Sequence, residues 1–376
     1  MEWTFSLPVK IVFGSGKRRE LGRYIDELGG KRGVLVCSKT LHENGTAQAV
    51  AEAAGGRLCA VFSDIRPNPT TGNVNACAEL MRKVRADFAV ALGGGSPMDC
   101  CKAACAIARG HEKIEAYHTG GRPLRAQEAI PMIAMPTTSG TASEITNISV
   151  LTDTAKNIKA PMDDAAMYPR LAIVDPELTL SVPPAVTAST GLDVLAHAIE
   201  SYWSTLRQPI CAANSVTAAR LAFAWLEKAY NEPNDLEARE NMALASILAG
   251  VGFSQPRTTG AHACSFPLTN RYGLPHGEAC AFTLDYFIQL NARRADGDGL
   301  ITGMARACGF SAPSVMAARI AHLKRAFGMR TNLRQIGCTT DEQIEQLTDE
   351  SMSMLLTRNP VPLTRDDIAE MWNALK

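Results

Sequence analysis

No run of about 18 apolar residues occurs anywhere in the 376-residue chain, so a membrane-spanning helix is not expected. Neither sign of charge is in excess, since Lys plus Arg and Asp plus Glu number 38 each. A balanced chain has no overall field to draw it to nucleic acid or to a membrane surface, although a local basic site is still allowed. The opening MEWTFSLPVKIVFGSG carries Glu2 and has no basic stretch leading into an apolar one, so no secretory signal is read. The eleven cysteines never stand in a Cys-x-x-Cys pair, and only Cys100, Cys101 and Cys105 cluster. Scattered cysteines of odd number fit reduced, buried thiols in a cytoplasmic protein. There is no internal repeat and no low-complexity segment.

What is there divides into two textures. The first half alternates strand candidates (Lys10–Phe13, Gly33–Cys37, Leu58–Phe62, Phe88–Leu92, Ile130–Met135) with helical runs such as Gly45–Ala54 and Thr71–Arg85. That alternation predicts an α/β domain with a largely parallel sheet, closed by Leu171–Val174. Beyond Val182-Pro183-Pro184 the spans 185–206, 209–230, 235–254, 278–294, 298–308, 313–328 and 341–355 read as helices. Residues 1–183 are therefore expected to form the α/β domain and residues 184–376 an all-helical one. A site that needs both halves is expected in the cleft between them.

After the strand Phe88–Leu92 come Gly93-Gly94-Gly95-Ser96 and Pro97, with Pro97 suited to a first helical position. Glycines let the backbone approach a ligand, and free amides at a helix start attract phosphate; the alternative is a plain tight turn. The usual G-x-G-x-x-G is absent, because Gly14-Ser15-Gly16 is followed by Lys17, Arg18 and Arg19. A second loop, Pro136-Thr137-Thr138-Ser139-Gly140-Thr141-Ala142-Ser143-Glu144, is dense in hydroxyls. It reads as lining a ligand, with Ser143 as a helix N-cap accounting for part of it.

Asp193 and His197 sit four apart on a predicted helix and so share one face. They form half of a divalent-metal site or, alternatively, an exposed pair. Of the seven histidines, His262 and His276 lie beside glycine or proline turns in apolar surroundings, whereas His42, His111 and His118 read as surface residues. One Asp and three His would suit Fe(II) or Zn(II), with a position left for substrate oxygen.

The segments G-G-G-S-P-M-D-C-C-K (93–102), P-T-T-S-G-T-A-S-E (136–144), D-V-L-A-H-A-I-E (193–200) and L-P-H-G (274–277) resemble, in order and separation, the signatures of the iron-containing (group III) metal-dependent alcohol dehydrogenases. The resemblance spans essentially the whole chain. It implies an N-terminal dinucleotide-binding α/β domain and a C-terminal all-α metal-binding domain, a fold shared with dehydroquinate synthase. Carried onto this sequence, it makes Asp193, His197, His262 and His276 the metal ligands. Gly94, Gly95 and Ser96 become pyrophosphate contacts, with Asp99 supporting their turn. Thr137, Thr138 and Thr141 border the cofactor, and Lys159 matches a cofactor-contacting lysine. The chain departs from the family where H-x-x-x-H is common, having His262-Ala-Cys-Ser-Phe266. Phe266 cannot relay a proton, so the proton is expected to come through water or a cofactor ribose hydroxyl.

The implied reaction is reversible reduction of a small aldehyde to a primary alcohol. A divalent cation, Fe(II) or Zn(II), serves as Lewis acid, and NAD(P)H is the hydride donor. Ser38 stands where many NAD-using relatives carry Asp, and Lys39 follows it, so NADP should be tolerated or favoured. Arg257 and Thr258, just before His262, and Arg271, five residues before His276, point to an aldehyde with an acidic head group. The segment, Phe266 included, resembles the phosphonoacetaldehyde reductase branch, which makes phosphonoacetaldehyde the expected substrate and 2-hydroxyethylphosphonate its product. The alternatives are a general primary-alcohol dehydrogenase acting on neutral aldehydes and a dehydroquinate-synthase-like lyase, although the metal segments carry no lysines for a polyol phosphate. The expected partner is the small-molecule substrate, with no nucleic acid and no membrane, in a cytoplasmic homodimer.

Overall fold

The computed structural model describes residues 2–65 and 67–376, and they divide into two compact units. One comprises Ser6–Thr138 and Ala142–Leu180. The other is formed by Ser181–Lys376 with Ser139–Thr141 and residues 2–5. The division at 180/181 falls three residues before the expected one at 183/184, and part of the hydroxyl-rich loop belongs with the helical unit.

The α/β unit is built on six parallel strands: β1 (Lys10–Phe13), β2 (Gly33–Cys37), β3 (Leu58–Phe62), β4 (Phe88–Gly93), β5 (Met132–Pro136) and, after a separate hairpin of β6 (Ile148–Asp153) and β7 (Ile158–Asp163), β8 (Leu171–Val174). Their order is β1-β8-β5-β4-β2-β3. Strands β2, β4 and β5 are buried along their whole length, as strands covered on both faces must be. Val34, Val36, Ala89, Ala91 and Ala134 pack on one side with α4 (Thr71–Lys83) and α5 (Gly95–Ala106). Leu35, Val90, Leu92, Ile133 and Ile173 pack on the other with α1 (Leu21–Leu28) and α3 (Thr46–Ala53), while the short α2 (Lys39–Glu43) leads out of β2. The chain runs from β2 out to β3 and returns to pair β4 on the opposite side of β2. The direction of winding thus reverses between β2 and β4, and in sheets of this kind ligands bind beyond the carboxyl ends of the strands at that reversal.

The hairpin was not expected from sequence, and its reason is visible. Ile148–Asp153 alternates in burial, but Pro161 and Lys159 interrupt β7, which is largely solvent-facing. Two further differences concern helix starts. Helix α5 begins at Gly95, so Pro97 is its third residue; any first-turn position tolerates a missing amide. Ser143 is not an N-cap, because Ala142 at φ +48° leads into a single 3-10 turn, Ser143–Ile145, and the Ser143 hydroxyl is used elsewhere.

After α6 (Glu115–His118) come the helices of the second unit: α7 (Pro184–Trp203), α8 (Pro209–Asn231), α9 (Leu236–Phe253), α10 (Gly260–Tyr272), α11 (His276–Ala295), α12 (Leu300–Ala307), α13 (Pro313–Ala326), α14 (Asp341–Ser351) and α15 (Arg365–Ala374). Helix α10 is not among the spans expected to be helical, since His262 reads as lying beside a glycine turn; Pro267 is accommodated inside it. Helix α15 was missed although Thr364 and Asp367 form a capping box. One apolar core, with Leu192, Leu195, Ile199, Trp203, Phe282, Phe287 and Trp372 fully buried, joins these helices. Among the described residues no helix is long and apolar enough to cross a membrane.

Candidate metal centre and cofactor turn

The four expected ligands come from three helices of one unit. Asp193 and His197 lie one turn apart on α7, His262 is in the first turn of α10, and His276 opens α11. Close approach of the helices sets their spacing. A Cβ at Gly277 would lie 1.9 Å from the Ser189 carbonyl oxygen and 3.0 Å from Asp193 Cβ, so α11 can meet α7 here only with a glycine. Asp193 Oδ1 lies 3.6 Å from His262 Nε2, 3.8 Å from His197 Nδ1 and 4.0 Å from His276 Nε2.

These donors are buried polar atoms without ordinary partners. Asp193 Oδ1, His197 Nδ1 and His262 Nε2 have no hydrogen-bond partner among the described residues. Each such orphan costs about 1–3 kcal/mol, so three of them facing one another require something else to complete them. Donors bonded to a common cation at 2.0–2.2 Å stand about 3.4 Å apart in a tetrahedral arrangement, slightly closer than these. Asp193, His262 and His276 bring their donors within 4.8 Å of one another and fit a divalent cation, and His197 reaches the group through Asp193. His276, with 36% of its side chain exposed, is the open side; the other three ligands are enclosed.

Charge follows the same logic. Burial opposes ionisation of Asp193, but His197, His276 and His262 outweigh it and hold the carboxyl well below the usual range. Burial pushes His197 down to about 4, which keeps its imidazole neutral. Its ring stacks on Phe253, with centroids 4.2 Å apart. For His262 burial is again the largest influence, yet Cys280 and Glu200 together carry it well above its ordinary value.

Two residues beside the ligands were not read from the sequence. Glu200, fully buried on α7, accepts from His262 Nδ1 through Oε2. Through Oε1 it accepts from the Thr259 hydroxyl (2.9 Å) and the amides of Thr259 (3.1 Å) and Ala261 (2.8 Å). Its signal was present, since Glu200 falls seven residues after Asp193 and three after His197, on the same helical face. Cys280 lies one turn beyond His276, with Sγ 3.8 Å from His276 Nε2.

The turn joining α9 to α10 is bracketed by this cluster. Phe253 at one end stacks on His197, and Thr259 at the other is bonded to Glu200 and to Trp203 Nε1 (2.8 Å). Between them stands Arg257 in a left-handed conformation (φ +63°), uncommon for a residue with a side chain, followed by buried Thr258. Arg271 departs from the expectation. It is exposed, and its guanidinium forks onto Glu350, with Nε 2.7 Å from Oε2, so its charge is already matched on the surface. Phe266 is half-buried on α10, one turn from His262. His42 and His111 are exposed, and His118 Nε2 lies 2.9 Å from the Ala160 carbonyl.

In the other unit the expected cofactor residues gather beyond β4 and β5. Gly94 caps α5, and the first-turn amides of Gly95 and Ser96 have no partner within their helix, while Pro97 has no amide to offer. A Cβ on Gly94 would stand 3.0 Å from the Thr138 hydroxyl, so glycine keeps this turn open. The Thr137 amide donates to the Gly93 carbonyl (3.0 Å). Asn68, also unread in the sequence, ties two expected residues together: its amide donates to the Ser96 hydroxyl (3.2 Å), and its Oδ1 accepts from Lys159 Nζ (2.9 Å). Asp99 sits behind the turn, accepting from the Ser143 hydroxyl (2.7 Å) and the Val150 amide (2.9 Å). Buried Lys102 donates to Ser143 (2.7 Å) and to the Ile148 carbonyl (2.8 Å). Ser38 follows β2, across the winding reversal, and its hydroxyl caps α2 by accepting the Leu41 amide (3.4 Å). Lys39 is exposed and 3.6 Å from Glu43. Thr141 belongs to the helical unit.

Residues 8–176 match the model of the iron-containing alcohol dehydrogenases, and residues 187–375 match that of the C-terminal part of Fe-containing alcohol dehydrogenases. The chain is similar to the sulfoacetaldehyde reductase of Bifidobacterium kashiwanohense solved in complex with NAD+, at 45% identity and a TM-score of 0.96, covering 100% of this chain and 99% of that one. It is 32% identical to alcohol dehydrogenase 4 of Schizosaccharomyces pombe over 98% of this chain and 88% of the relative. It is 31% identical to the sulfoacetaldehyde reductase of Bilophila wadsworthia over 97% of each.

Proposed function

The chain belongs to the iron-containing alcohol dehydrogenase family of oxidoreductases, and we propose that it reduces a two-carbon aldehyde with an anionic head group to the primary alcohol. The observation that carries this reading is the placement of Arg257 in a turn pinned at both ends to the metal cluster, through Phe253 on His197 and Thr259 on Glu200. Arginine offers bidentate, charge-assisted bonds to sulfonate, phosphonate or carboxylate, and the Thr258 hydroxyl is beside it. Two relatives named for sulfoacetaldehyde make that aldehyde the favoured member of the class, with 2-hydroxyethanesulfonate as product. Phosphonoacetaldehyde is the second reading, supported by Phe266 in place of a histidine.

A divalent cation held by Asp193, His197, His262 and His276 would supply Lewis acidity to the aldehyde oxygen, and NAD(P)H the hydride. The protein's part is orientation. Glu200 fixes the tautomer of His262 that turns Nε2 towards Asp193, and half-exposed His276 marks the edge open to substrate. The amides of Gly95 and Ser96, with Lys159 held through Asn68, suit the cofactor's pyrophosphate. Phe266 offers no proton, which leaves water or a ribose hydroxyl to supply it.

Initial rates on the metal-loaded protein with sulfoacetaldehyde, phosphonoacetaldehyde and propanal test the reading. One anionic aldehyde should exceed propanal in kcat/KM by about thirtyfold or more, the smaller end of what a buried charged contact contributes. A preference for propanal would overturn it.

A further inference from the structure

One donor beside the metal cluster has no role in the set described above. Cys280 is buried on α11, and the donor atoms of Asp193, His262, His276 and Cys280 all lie within 4.8 Å of one another. Its Sγ is 3.8 Å from His276 Nε2. A zinc-bound thiolate at about 2.3 Å and an imidazole nitrogen at about 2.0 Å stand roughly 3.5 Å apart in a tetrahedral site, so only a few tenths of an ångström separate this geometry from a coordinated one. Independently, buried Asp193 Oδ1 and His262 Nε2 lack hydrogen-bond partners among the described residues, and both border the space that Cys280 Sγ borders.

Ligand chemistry separates the two ways of completing this site. Thiolate selects softer, borderline cations such as Zn(II), whereas carboxylate with imidazole serves Fe(II). We propose that Cys280 is an alternative metal ligand, so that Asp193, His262 and His276 are shared by two overlapping sets, completed by His197 for Fe(II) and by Cys280 for Zn(II). The inference rests on the metal reading of the Asp193 cluster. Binding through sulfur converts the thiol to a zinc thiolate and releases its proton to solvent. Four protein donors that include a thiolate make the closed, structural type of zinc site, whereas Fe(II) held by imidazole and carboxylate keeps open positions for substrate oxygen. Zinc would then occupy the protein without supporting turnover.

X-ray absorption at the metal edge, on the full-length protein loaded with one equivalent of zinc or iron, reads the ligands directly. Zinc-loaded wild type should show one sulfur neighbour at about 2.3 Å. That neighbour should vanish in both Cys280→Ala and Cys280→Ser and persist in His197→Ala, and the iron-loaded protein should show nitrogen and oxygen alone. A zinc shell without sulfur in the wild type, sulfur surviving in either Cys280 variant, or sulfur bound to iron would overturn the proposal. A chain that bound iron but no zinc would overturn the proposal alone, and one that bound neither would bring down the metal reading with it, whereas bound zinc without sulfur would leave that reading standing.

Discussion

Glu200 holds His262 from two directions, taking the imidazole Nδ1–H on one carboxylate oxygen and the backbone at the start of the same helix on the other. A single buried charge therefore caps α10 and aims Nε2 at Asp193. Glu200→Gln keeps the shape but cannot accept on both sides. Affinity for the cation should fall about 10–100-fold, measured by competition with a chelator, and unchanged affinity would argue against a positioning role.

Arg257 and Arg271 should separate under mutation. Arg257→Ala should cost about 2–5 kcal/mol in kcat/KM for an anionic aldehyde and far less for propanal. Arg271→Ala removes an exposed pair with Glu350 and should change neither substrate appreciably, with stability shifting by about 1 kcal/mol at most. Equal losses on both aldehydes in Arg257→Ala would remove it from the substrate site.

Cofactor choice should turn on Ser38. No carboxylate stands at that position at the end of β2 to repel a 2′-phosphate, so NADPH should be accepted at a rate within about a hundredfold of NADH. Ser38→Asp retains a good N-cap for α2 while adding the repulsion. The ratio of kcat/KM for NADPH over NADH should drop at least about tenfold, about 1.4 kcal/mol. A ratio that did not move would place the ribose elsewhere.

Much of this was legible in the sequence, for identifiable reasons. The strands buried on both faces announced themselves as apolar runs, and Asp193 with His197 followed from helical spacing. What escaped was whatever depended on tertiary contact. Helix α10 carries no N-cap side chain of its own, and Glu200 supplies the cap from another helix. Arg271 looked like a substrate anchor because its surface partner, Glu350, lies 79 residues away in the chain. Asn68 and Cys280 carried no local signature at all, since their meaning comes from Lys159 and Asp193 reaching them in space.

Buried charge in the α/β unit should appear in the pH dependence of stability. Burial lifts Glu144 from 4.5 to about 7, against the attraction of Lys102. Burial lowers Lys102 from 10.5 to about 8. A carboxyl with a raised folded value stabilises the fold below the unfolded value, and that contribution is lost as pH climbs from about 4.5 to about 7, about 3 kcal/mol in all. Lys102 has the opposite sign and matters only above about pH 8. Glu144→Gln should therefore flatten the decline in urea midpoint between pH 5 and pH 7.5. A decline as steep as in the wild type would show that Glu144 is not its source.

Helices α7 and α11 meet through main chain at Ser189 and Gly277, so the spacing of Asp193 and His276 is not negotiable by side-chain repacking. The turn from Gln255 to Thr258 is a different material: short, locally strained at Arg257, and held between its ends through main chain, where the Ser204 hydroxyl donates to the Pro256 carbonyl (2.9 Å). Divergence towards new aldehydes has one cheap route through this molecule, rewriting those four residues, while the reaction chemistry is inherited unaltered. Directed evolution libraries confined to that turn should yield altered substrate ranges far more often than inactive proteins, and libraries spread along α7 and α11 the reverse.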